Sequence, residues 1–213
     1  MQNSDNVIAL LKLASAELAR AGQAMAAAPT KRLAQVQAQE PIVGDSQENA
    51  GVDGVVSIGM GGLHVTADFD SVLVAYGLGS CVGVVIQDPE TRIGGMAHVV
   101  LPTSSLGSGE NEVARYADLG VGRLVGETVR RGGSRGRLQA KIAGGARMFD
   151  VPGQGAGLDI GARNAEAVRA ALLEAGVPIV AADVGGSNGR TMRFHVGARK
   201  VYVRLPGMTE REL

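Results

Sequence analysis

From Val55 onward, short β-branched apolar runs alternate with glycine-bearing breaks, a spacing that admits many strands and few long helices. The runs Val55–Ile58, Leu63–Ala67, Val72–Tyr76, Val82–Gln87, Gly94–Val100, Gln139–Ala143 and Val177–Val184 are predicted strands. Met192–Val196 and Lys200–Arg204 form a predicted hairpin across Gly197. Two stretches carry helical periodicity instead. Ala114–Arg130 aligns Ala117, Val121, Leu124, Val125 and Thr128 on one stripe. Arg163–Glu174 turns Val168, Ala171 and Leu172 inward, and Gly176 stands where a helix would end. Strands come first and helices fall between later ones. The expected class is α/β, with a mixed sheet covered by helices rather than a doubly wound parallel sheet.

Residues 1–53 have another texture. Val7, Leu10, Leu11, Ala14 and Leu18 recur at helical spacing, and Pro29 closes the predicted helix. Residues 30–53 mix Gln35, Gln37, Gln39, Pro41, Gly44 and Asn49 with little periodicity, as in a linker. The expected organisation is an N-terminal helix and flexible linker over 1–53, a folded domain over 54–205 and a C-terminal tail over 206–213. The apolar stretch Val7–Leu13 is too short to span a bilayer and has no basic residues before it, so neither a signal peptide nor membrane insertion is expected.

Charge excludes one class of partner. Lysine plus arginine and aspartate plus glutamate both number 21, tryptophan is absent, and no basic stripe or stacking platform offers itself to nucleic acid. Cys81 is the single cysteine, so no intrachain disulfide can form, and a lone thiol suits a reducing, cytoplasmic setting. The segment Gly77–Val82 lacks the third glycine of a dinucleotide fingerprint, and Gly185–Thr191 has neither the glycine spacing nor the lysine of a phosphate loop. No cluster has metal-ligand spacing. Neither cofactor nor metal is expected.

Cys81 ends the segment Tyr76-Gly77-Leu78-Gly79-Ser80-Cys81. Glycines ahead of a nucleophile let the backbone turn the thiol outward and free nearby N–H groups to face a developing oxyanion. A small buried hydrophobe is the competing explanation for a free cysteine. His98 lies in the apolar run Gly94–Val100, where an imidazole needs a polar partner. Beside a thiol it could take and return a proton; a backbone carbonyl would satisfy it equally well. His64 and His195 sit in ordinary alternating strands and read as structural.

These segments carry a resemblance. Tyr76–Cys81, Gly95-Met96-Ala97-His98 with Leu101-Pro102, Lys141–Ala146 with Met148-Phe149, Ile160-Gly161-Ala162-Arg163-Asn164, and Asp183–Gly186 with Gly189-Arg190 together resemble the CheD family of chemoreceptor glutamine deamidases. The likeness covers about residues 55–205. It implies a three-layer α/β/α sandwich and a cysteine–histidine hydrolase, with Cys81 as nucleophile and His98 as general acid/base. Backbone N–H groups around Ser80 and Val82 would hold the oxyanion. The implied substrate is glutamine in the cytoplasmic bundle of a chemoreceptor, with receptor glutamyl methyl esters as further substrates and a CheC-type phosphatase as partner. Where many members carry a threonine in the strand before the nucleophile, this chain has Ala75, which cannot accept a hydrogen bond from the imidazole. The alternative implied is a weakly active or inactive adaptor that binds receptors or a CheC-type phosphatase. The remaining motif residues, Arg163 and Asn164 among them, read as turns, caps or loop bridges.

Overall fold

The computed structural model describes residues 50–51, 54–106, 113–148 and 159–213. The helix expected near the N-terminus and nearly all of its linker lie outside the described residues. Eleven strands are described: β1 (Ala50–Gly51), β2 (Val55–Ser57), β3 (Leu63–Thr66), β4 (Val72–Leu78), β5 (Val82–Gln87), β6 (Gly94–Val99), β7 (Gln139–Gly144), β8 (Ile179–Val184), β9 (Arg190–His195), β10 (Lys200–Arg204) and β11 (Arg211–Glu212). Two α-helices accompany them, α1 (Ala117–Arg130) and α2 (Ile160–Glu174).

The class is α/β, but the strands divide into two sheets. One runs β1-β2-β4-β9-β10-β11 and the other β3-β6-β5-β7-β8. Both are mixed: β2 and β4 pair parallel in the first, β7 and β8 in the second, and the other pairings are antiparallel. Every residue of β5 and β6 is buried, as expected of strands covered on both faces. One cover is helical: Val121, Leu124 and Val125 of α1 and Val168 and Leu172 of α2 pack with Val82, Val84, Ala97 and Val99. The other cover is the first sheet, whose Leu73, Met192, Phe194, Val201 and Val203 pack with Val85 and Met96.

The layer order therefore differs from the expected α/β/α sandwich with its single mixed sheet. A sheet takes the place of one helical layer. Its strands alternate in burial, with Arg190–His195 hiding every second residue, so they have one apolar face to cover and supply the layer that the two helices do not. The sheets meet closely: a Cβ at Gly94 would lie 2.6 Å from the Phe194 ring. A fully buried ring such as Phe194 contributes about 2–3 kcal/mol of transfer free energy. Residues 206–213, set apart as a tail by composition, include β11, which pairs with β10 and adds a Lys200–Glu212 ion pair at 2.8 Å.

Among the described strands the chain passes between the sheets four times, after β2, β3, β4 and β8, and the passage from β4 to β5 is the shortest. That crossover is residues 79–81, which hold Cys81 at the mouth of the inter-sheet layer.

Candidate functional site

Cys81 immediately precedes β5, which pairs with β6 in a register that sets Val82 opposite Val99 and Gly83 opposite His98. Residues two apart on a strand share a face, and directly opposed residues do too. Cys81 and His98 therefore stand on the same face as diagonal neighbours on adjacent strands. That face is the inter-sheet one, shared with Met96, and the partly buried Cys81 packs against the edge of its apolar cluster.

His98 is only 3% exposed, and its Nδ1 lies 3.1 Å from the carbonyl oxygen of Ile58. A carbonyl only accepts, so Nδ1 carries the proton and Nε2 is left with the lone pair. Nε2 is buried and has no partner among the described residues. The histidine thus has both features: a backbone carbonyl orients one nitrogen, and the other is an unused base. Ile58 extends β2, whose parallel register pairs Ser57 with Val74, so continuing it by one residue brings Ile58 beside Ala75. Ala75 is fully buried in the apolar cluster. The orienting acceptor comes from the strand next to Ala75 rather than from its side chain.

Electrostatics keep the pair neutral. Burial pushes the Cys81 thiol above its ordinary value of 9.0, against the opposing pull of the Arg115 charge and of the residue's own N–H. Burial pushes His98 below 6.5, and the bond to Ile58 only partly offsets it.

The glycine motifs close around the crossover. Gly145 N–H donates to Cys81 O at 2.8 Å and Ala146 N–H to Gly79 O at 2.7 Å. Gly144 has φ of +121°, and a Cβ there would lie 2.1 Å from Cys81 O, so only glycine fits. A second loop backs the first: Gly185 N–H donates to Gly144 O and Arg147 N–H to Gly186 O. The buried Arg190 guanidinium stiffens that loop by donating to Asp183 O at 2.7 Å, Gly185 O and Asn188 O. Asn164 bridges rather than caps. Its Nδ2 donates to Ser80 O and Val100 O, both at 2.9 Å, while Asp159 caps α2 by accepting from Ala162 N–H. Arg163 is exposed.

Ser80 and Val82 differ. Val82 opens β5 with register partners on both sides, Val99 and Gly144, so its amide belongs to the ladder. Ser80 and Cys81 precede the strand, and among the described residues neither N–H has a backbone partner. Met60 and Met148 are exposed apolar side chains near this face, with Met148 against Gly79 and Met60 beside the Gly61 amide that donates to His98 O. His195 packs edge-on against Tyr202, and His64 lies in β3 opposite Met96, neither next to Cys81. Ile58 and Arg115 were not legible as site residues. A backbone carbonyl leaves no mark in sequence, and Arg115 reaches the site only because its carbonyl accepts from Val100 and Leu101 N–H.

Comparison with known proteins points one way. A sequence model described as CheD chemotactic sensory transduction matches residues 100–205. A probable chemoreceptor glutamine deamidase CheD from Symbiobacterium thermophilum is 51% identical over 158 residues, 74% of this chain and 96% of that protein. The chemoreceptor glutamine deamidase CheD of Halalkalibacterium halodurans is 42% identical over 160 residues, 75% of this chain and 98% of that protein. Among solved structures, YlmD from Geobacillus stearothermophilus overlaps 63% of this chain and 51% of its own at 17% identity, with a TM-score of 0.38, too low to bear on the fold.

Proposed function

The chain belongs to the CheD family, and from that premise we propose that it deamidates glutamine side chains of chemoreceptors through Cys81 and His98. One observation carries the mechanism: His98 is held by Ile58 O at Nδ1 and keeps a free Nε2 on the face and strand pair that present Cys81. Nε2 takes the thiol proton as sulfur attacks the carboxamide carbon. The N–H groups at Ser80 and Cys81, with Val82 as a ladder-bound neighbour, stabilise the oxyanion. The imidazolium returns its proton to the nitrogen as the C–N bond breaks, ammonia leaves and a thioester remains. Nε2 then activates water, and hydrolysis releases glutamate and the thiol.

The exposed Met60 and Met148 suit a substrate presented on a helical surface, with the reactive side chain reaching inward. Glutamyl methyl esters would follow the same path with methanol as leaving group. We read the same face as the docking surface for a CheC-type phosphatase, and the cytoplasm as the compartment of the reaction, in keeping with a lone reduced thiol. Among the described residues no helix is long and apolar enough to cross a membrane. The catalytic unit is read as 54–205, with the helical periodicity of residues 1–28 and its linker as an appendage. A receptor-binding adaptor is the second reading, favoured by Ala75 alone.

Mass spectrometry of a receptor fragment decides between them, each deamidation adding about one dalton through exchange of amide for acid. Cys81→Ala and His98→Ala should each lower turnover by at least roughly 10³-fold while leaving the fold intact. Wild-type turnover in either variant would refute the assignment, and receptor binding without mass gain in the wild type would favour the adaptor.

A further inference from the structure

Asn164 is fully buried in the second turn of α2, a helix-interior position where asparagine is a poor choice and alanine would serve the backbone better. Its two amide hydrogens go to carbonyls that flank different strands, Ser80 just before β5 and Val100 just after β6. Ser80 immediately precedes Cys81, and Val100 lies two residues beyond His98. A flipped carboxamide would aim oxygen at two oxygens, so the orientation follows from the partners. Oδ1 is left buried without a partner among the described residues. An unmet acceptor is the cost of keeping both donors in place.

The consequence lies in peptide geometry. A trans peptide is planar, with C=O and N–H pointing in opposite directions, and no cis bond occurs among the described residues. Asn164 draws the Ser80 carbonyl toward the helical side of the second sheet. The N–H of the same peptide, that of Cys81, is thereby aimed to the opposite side, the face that carries His98. The flanking carbonyls of Gly79 and Cys81 are held by the backbone N–H groups of Ala146 and Gly145. Of three successive carbonyls, the middle one alone depends on a side chain.

We propose that Asn164 is the positioning residue of this site: its carboxamide aims the Cys81 N–H as an oxyanion donor and ties the Cys81 crossover to the strand bearing His98. The inference rests on the Cys81–His98 reading above. Asn164→Ala and Asn164→Asp in the full chain test it, with Leu172→Ala as a control that weakens the same helix without touching either carbonyl. Both Asn164 variants should lose kcat on the order of 10²-fold with KM changed by about twofold or less. The pH dependence of Cys81 alkylation by iodoacetamide should move upward, because the thiolate loses the same N–H. Leu172→Ala should keep kcat within about threefold and an unmoved alkylation profile at a comparable loss of Tm. Asn164→Asp keeps the volume and remains informative where the alanine variant does not fold. Wild-type kcat in Asn164→Asp, or an equal kcat loss in Leu172→Ala, would overturn the proposal. Cys81→Ala separates the two levels: activity in that variant sinks the nucleophile itself, whereas an inactive Cys81→Ala beside fully active Asn164 variants sinks only the positioning role.

Discussion

Burial acts on Cys81 and His98 in opposite directions, and both shifts favour the neutral form. A resting thiolate–imidazolium pair would need a depressed thiol and an elevated imidazole. On the proposed mechanism the proton stays on sulfur until attack, and His98 serves as general base. The sign of the pH dependence follows. His98 must be neutral, which holds above its lowered value, and the thiol must still carry its proton, which holds below its raised one. The kcat/KM profile for a receptor fragment should therefore be flat between 6.5 and 9.0 and fall on both sides, as a coupled pair titrating outside that window would do. Alkylation of Cys81 should be slow at neutral pH and rise through 9.0. A profile that already falls between neutrality and 9.0, or fast alkylation at pH 7, would mean a preformed ion pair. At this scale sequence carried the reacting atoms but not their support. Cys81 and His98 stand out because glycines and small residues surround them. The Ile58 carbonyl that orients the imidazole depends on β2 lying beside β4, and no residue type encodes that.

Elements were legible where side-chain pattern alone defines them. The strands Val82–Gln87 and Lys200–Arg204 have the ends their sequences predict, because polar or glycine-bearing turns bound them sharply. Strand β4 runs two residues beyond its predicted end: Gly77, at φ of +64°, reads as a stop, yet the pairing with β9 resumes at Leu78 after a register shift. Helix α2 starts three residues early because Asp159 caps it, a local bond that periodicity does not report. Between elements, the β5–β6 turn is fastened to the connection between α1 and β7 by Asp88. Its buried carboxylate accepts from Arg137 at 2.8 Å and from Ser134, Glu90 and Thr91 N–H. Burial alone would raise this group, but the Arg137 guanidinium and the three amides outweigh it and hold Asp88 well below the usual carboxylate range. Asp88→Ala strands those donors and should cost roughly 3 kcal/mol, read from urea denaturation at pH 7. A group lowered in the folded state adds stability above its ordinary 3.8 and loses it as pH falls toward the folded value, so the gap between wild type and variant should narrow below 3.8. A gap that is absent at pH 7, or widens in acid, would contradict the role given to the clasp.

For the whole molecule, the inter-sheet layer is what sequence concealed. Alternating burial in Arg190–His195 and the uninterrupted burial of β5 and β6 are both compatible with one sheet between helices. The pairing of β4 with β9, distant in sequence, sets β4 in the first sheet and leaves Cys81 on one of the links between the two. Among the described residues, the bonds that hold this link come from within 54–213: Gly145, Ala146 and Asn164 support the Cys81 side, and Ile58 supports His98. Aligned stretches of 158 and 160 residues account for 96% and 98% of two relatives. A chain beginning at Ala50, which keeps the pairing of β1 with β2, should therefore deamidate a receptor fragment with kcat within about threefold of the full chain. Its Tm should be nearly unchanged, because no described strand of either sheet is removed. If residues 1–49 contribute to receptor engagement, KM will rise while kcat holds. A collapse of kcat on truncation would mean that the amino-terminal segment completes the site, and the self-contained domain argued from these bonds would be wrong.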